Sequence, residues 1–150
     1  MAASILFCTA SATFAQQGAA PEDARQLVEM PPLAQAILRE EMLDNLGALN
    51  ELIGLLAEGR LQEAGTLAEQ RLGQSSMGKH AARARGQGPG RFMPASMHAI
   101  ALAMHDAATE LGKVAQTGDE AKALAALQKV SPTCLAGAHV RSCRKGADSK

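Results

Sequence analysis

The sequence contains no tryptophan, no tyrosine and only three phenylalanines in 150 residues. Proteins that hold single-stranded nucleic acid stack its bases on aromatic side chains, and this chain has no such platform. An excess of either charge is missing too. Fifteen Lys and Arg meet 15 Asp and Glu, so no broad electrostatic reason exists to expect a nucleic-acid partner. β-Branched and aromatic residues are too scarce for an extended sheet core. No G-x-S-x-G, Walker, H-E-x-x-H or paired-carboxylate pattern occurs, which leaves hydrolase and nucleotide-binding readings without support. What is present is Ala and Leu. A chain that is 47% hydrophobic with no net charge reads as one folded helical domain and not as a disordered segment.

Residues 1–15 read as a signal peptide. An uncharged apolar stretch from Ala2 to Cys8 leads to Ala12-Thr13-Phe14-Ala15, whose small residues at 13 and 15 suit a signal-peptidase site. The Lys or Arg that usually opens such a segment is missing. The run is too short to span a bilayer, so it implies export to the periplasm without a membrane anchor. A spacer follows over 16–32, with residues 22–30 forming a short helical lead-in that Pro31-Pro32 interrupts.

Over the remaining domain, 33–150, apolar spacing predicts four helices. The first runs from Leu33 to Glu58 on Leu33, Ile37, Leu43, Leu46, Leu49, Ile53 and Leu56, and Gly59 stops it. The second, Leu61 to Gln74, buries Leu61, Ala64, Leu67, Ala68 and Leu72. A Gly59-Arg60 turn makes this pair an antiparallel hairpin. The third runs from Met97 to Gln116 behind Ser96 as N-cap, with Met97, Ile100, Met104, Ala108, Leu111 and Val114 on one face. Asp119 caps the fourth, which carries Leu124, Leu127, Val130 and Cys134, and Pro132 should kink or weaken it. The expected fold is all-α, an antiparallel up-down four-helix bundle. Residues 75–95 break every periodicity. Four glycines, two prolines, Lys79, Arg83, Arg85 and Arg91 mark them as a basic surface loop, either solvated or facing an acidic redox partner.

Two cysteines of the mature chain, Cys134 and Cys143, flank His139. An oxidising compartment would let them close a disulfide. A thiolate and an imidazole this close could instead hold a metal, or a c-type haem, which needs a Cys thiol for a thioether and a His for iron. The haem signature C-x-x-C-H is not met, because Gly137 and Ala138 stand where the second Cys and the His should be. His80, His98, His105, Met77 and Met93 form a second candidate set, suited to copper. Against it, His98 and His105 lie about 10 Å apart along a helix, and Met at helical spacing is usually core filler.

The mature chain resembles a class II c-type cytochrome, the cytochrome c′ group and its low-spin relatives, from about Arg39 to Arg144. The resemblance is carried by Arg39-Glu-Glu-Met42 through Gly59, Glu63-Ala-Gly-Thr-Leu-Ala-Glu69, and Phe92-Met93-Pro94. Gly118-Asp119, then Ala123-Leu124 to Val130, then Cys134-Leu135-Ala136, continue it. It implies haem as cofactor, with Cys134 as a thioether site, His139 as the proximal iron ligand and Met42 as a sixth ligand. The chain departs from the family in three ways. Cys134 and His139 are five apart rather than four, the second thioether Cys is absent, and Leu43 stands where some members place the Met ligand. The role implied is single-electron transfer with a redox partner protein, a carrier and not an enzyme. Gas binding takes its place if Met42 does not reach the iron. A homodimer through the first two helices is also implied by the resemblance. The alternative is a haem-free helical bundle that binds a metal or a protein partner, with Cys134 and Cys143 joined.

Overall fold

A computed structural model describes residues 28–139 of the chain. The signal segment 1–15, the spacer up to residue 27 and Cys143 lie outside the described residues. Val28 to Met30 are not helical, so the last part of the expected lead-in helix over 22–30 is extended chain packed by Val28 and Met30. Five α-helical segments follow: α1 (Pro32–Ala57), α2 (Leu61–Leu67), α3 (Ala81–Ala84), α4 (Ala95–Gln116) and α5 (Glu120–His139). The described residues are all helix and loop, with no strand among them.

Proline and glycine set the boundaries. Pro32 opens α1 at a position whose N–H has no helical partner in any case. At its other end Gly59 adopts φ +71°, Gly59 N–H donates to the Leu56 carbonyl and Arg60 N–H to the Leu55 carbonyl. This paired closure reverses the chain into α2 within two residues. α2 does not stop at Leu67 but widens into a π-helical turn, Ala68–Leu72, before Gly73 leaves in extended conformation. The third helix begins behind Pro94 rather than Ser96, which lies inside α4 and caps nothing. Gly118 (φ +75°) ends α4, and the Asp119 carboxylate caps α5 by accepting from Lys122 N–H at 3.0 Å. α5 continues through Pro132 to His139. The carbonyl of Gln128 loses its helical donor there, but both residues are exposed, so water replaces it.

α1 packs on α2, α2 on α4, and α4 on α5 in the most extensive helix pair, while α1 and α5 touch only lightly. The α2–α4 crossing is close because glycines meet there. A Cβ on Gly65 would lie 2.8 Å from the Gly112 carbonyl oxygen, and Gln116 Nε2 locks the crossing by donating to the Gln62 carbonyl at 2.9 Å. The core is divided in two. The larger part joins Ala48, Leu52 and Leu56 of α1 to Leu61, Ala64, Ala68, Leu72, Leu111, Ala115, Ala126 and Val130. A smaller part collects Val28, Met30, Ala34, Leu38 and Met97. This corrects the expected face of α1. Leu43 is 71% exposed and Leu46 60% exposed, with Leu33 and Ile53 also outside. Small alanines, not the largest aliphatics, make the inward stripe, because only they allow the helices this near.

Gly65→Ala is expected to lower stability by about 1–3 kcal/mol, since backbone must move to admit the methyl group. Gly54→Ala in α1, where a Cβ meets nothing within 4 Å, is expected to raise it by up to about 1 kcal/mol from helix propensity alone. Urea midpoints of the two variants beside the parent check both signs.

Candidate functional site

The inward stripe of α1 runs through Ala34, Leu38, Ala48, Leu52 and Leu56, about one residue in four. Between Leu38 and Ala48 it passes through Glu41, Met42 and Asn45, all half-buried. These side chains do not close the core. A cavity of about 180 Å³ opens there, lined by Met42 and Leu46 of α1, Met97, Ile100, Met104 and His105 of α4, and Cys134 of α5. Met42 and Cys134, 92 residues apart in the chain, therefore face one apolar space. The third residue of the expected set is less well joined to them. His139 is the last described residue of α5, and helical geometry sets its position about 140° round the axis from Cys134.

Cys134 is half-buried, and burial pushes its thiol above the ordinary pKa. That opposes the thiolate a metal ion would require, whereas a thioether to carbon carries no charge and suits the same walls. Among the described residues no three His, Cys, Asp or Glu side chains converge as a metal centre.

A second cavity of about 450 Å³ adjoins the first, and Glu41, Met93, Ala101 and His105 belong to the walls of both. Its roof is the irregular segment after α2. The expected basic, solvated loop is instead tied down over α1, with Lys79 bonded to Asp44 at 3.2 Å and Arg83 paired with Glu40. Arg91 donates to the Gly86 carbonyl at 2.9 Å, while Ala84 and Pro89 are buried. Short helical turns, α3 among them, replace a featureless chain. His80, His98, His105, Met77 and Met93 all line this second cavity. Sequence spacing separated these residues; the loop gathers them.

Three residues of this region escaped the sequence reading or were misplaced by it. Glu41 sits where α1 turns inward, and burial pushes its carboxyl above the usual carboxylate range against the pull of His80, Lys79 and His105. The signal was available as a carboxylate on the Ala34–Leu38–Ala48 stripe, had that stripe been identified. His80 Nε2 is buried without a hydrogen-bond partner. His105, expected to be exposed beside His98, is half-buried, and its Nδ1 lies 2.7 Å from the Leu72 carbonyl oxygen.

For an acid whose folded pKa is raised, the cost of burying charge is absent below the unfolded pKa and grows as pH rises through the folded one. Glu41→Gln is therefore expected to raise the urea midpoint at about pH 7, with the advantage over the parent closing by about pH 4, where the unfolded carboxyl also takes up its proton. A pH-independent difference would mean that the amide acts through packing alone.

Compared with family models, with curated proteins and with solved structures, the chain matches none of them.

Proposed function

We propose that the chain is an exported, periplasmic, class II cytochrome c-like haem protein that carries single electrons. On this reading α1, α2 with its π turn, α4 and α5 form an antiparallel up-down four-helix bundle, which the order of helix contacts α1–α2–α4–α5 supports. The observation that carries the proposal is the common cavity of Met42 and Cys134. A residue of the first helix and one of the last face each other across apolar walls, and the resemblance requires that juxtaposition of its haem ligands.

The residues fit the group in chemistry. Cys134 offers a neutral thiol for one thioether, Met42 a thioether sulfur, and His139 follows on the same helix. Leu46, Met97, Ile100 and Met104 exclude water from the space between. Volume is the tighter test. About 180 Å³ is below the roughly 300–1,000 Å³ of small-molecule sites, so the macrocycle requires room from the adjoining 450 Å³ as well. Bound haem supplies a one-electron iron couple. The protein's part is to attach it through Cys134, offer axial ligands, and lower the local dielectric that sets the potential.

Expression with a working signal in a host that has c-type maturation tests this. A haem stain on a denaturing gel is expected to be positive for the parent and negative for Cys134→Ala, and the reduced pyridine spectrum should show one thioether, not two. A Soret band without the stain would remove the Cys134 role. No haem by either assay would overturn the carrier reading and leave the haem-free bundle, with Cys134 and Cys143 joined, in its place.

A further inference from the structure

We propose that His105 of α4, and not Met42 of α1, is the second iron ligand at this site; the inference rests on the haem reading above. His105 stands at the wall common to both cavities, where a group occupying the two together must pass. Its ring is already set for ligation. A carbonyl oxygen can only accept, so the 2.7 Å contact with Leu72 O requires the proton on Nδ1. The neutral ring is then left with a bare lone pair on Nε2. Metal-bound histidines carry the same arrangement, with one nitrogen donating to a carbonyl or carboxylate that fixes tautomer and orientation.

The carbonyl is itself held in place. Leu72 is fully buried at the end of the π turn. The chain leaves the helix at Gly73, and Ser76 N–H bonds to the Gly73 carbonyl instead of continuing the ladder. Leu72 O thus has no helical donor and takes the imidazole. The cost of ordering the ring is met in folding, before any ligand arrives.

Met42 has no such preparation. Its side chain packs against the smaller core of Val28, Met30, Ala34, Leu38 and Met97. No hydrogen bond can orient a thioether, and three rotatable bonds leave the sulfur free to turn away. Its inward position already has a packing explanation. The Nδ1–H tautomer of His105 has none beyond the Leu72 contact, which leaves Nε2 idle.

The test uses the haem-loaded protein, read by absorption and electron paramagnetic resonance. Met42→Leu is expected to keep the six-coordinate low-spin spectrum of the parent. His105→Ala is expected to become high-spin and to regain the low-spin signal when imidazole is added, a rescue that structural damage would not allow. Because that variant orphans Leu72 O, His105→Gln serves beside it; its amide can still donate there but brings no ring nitrogen. A low-spin spectrum that survives His105→Gln and is lost in Met42→Leu overturns the inference while leaving haem binding intact. A chain that takes up no haem overturns the functional reading, and this inference falls with it. Independently of haem, long-range ¹⁵N–¹H correlation on the apoprotein should find His105 protonated on Nδ1. A proton on Nε2 would sink the assignment.

Discussion

An α-helix that packs along its whole length needs an unbroken apolar stripe, and α1 does not have one. Ala34 and Leu38 begin the stripe and Ala48, Leu52 and Leu56 complete it, but Glu41, Met42 and Asn45 stand between. A carboxyl and an amide cannot be sealed into hydrocarbon without partners, and one flexible thioether cannot fill the space for three. The core therefore parts into a large cluster at the α2 end and a small one beneath Val28 and Met30. α5 is held by α4 rather than by α1. The cavity that joins Met42 to Cys134 is the seam left by that break.

The same break explains the segment over the second cavity. The three acidic residues on this stretch of α1, Glu40, Glu41 and Asp44, face the long connection between α2 and α4. Arg83 pairs with Glu40 and Lys79 with Asp44, while Glu41 stays within electrostatic reach of His80 and His105. Exposed pairs of this kind contribute about 0–1 kcal/mol each. Most of the holding falls to the buried Ala84 and Pro89. The four-residue α3 and its flanking turns have few such contacts, so this segment is the part of the fold that opens at least cost. The larger cavity is roofed by the most easily lifted element, and the smaller one lies behind it.

The sequence made helix ends legible because they rest on local chemistry. Pro31-Pro32, Gly59, Gly118 and Asp119 act on their own backbone whatever packs nearby, and all mark real boundaries. The inward face of α1 was not legible in the same way. Leu43, Leu46 and Ile53 look like core by size, yet Ala34 and Ala48 occupy it, a choice made by the distance to α2 and α4. Cys134 and Met42 could be named from order along the chain, since the resemblance pairs a first-helix residue with a last-helix one. His105 could not. Its ring depends on the Leu72 carbonyl, freed by a π turn that no period-four pattern announces.

On the haem reading, the altered motif changes what the walls must do. Two thioethers would fix a macrocycle's tilt through covalent geometry, leaving the pocket to tune its potential. With Gly137 and Ala138 where Cys and His would stand, one sulfur gives a hinge rather than a clamp. Orientation then has to come from non-covalent contacts: the ring of His105, tethered at Leu72, and the faces of Ile100, Met97 and Met104 on the same helix. α4 is the element best able to supply them, because it packs on both α2 and α5 and carries the buried glycine crossing. Imidazole in place of thioether also removes the rise in potential that methionine ligation gives, which makes such a carrier a lower-potential one. The position of the chemistry would thus have moved from the helix that carries the motif to the helix that carries the packing.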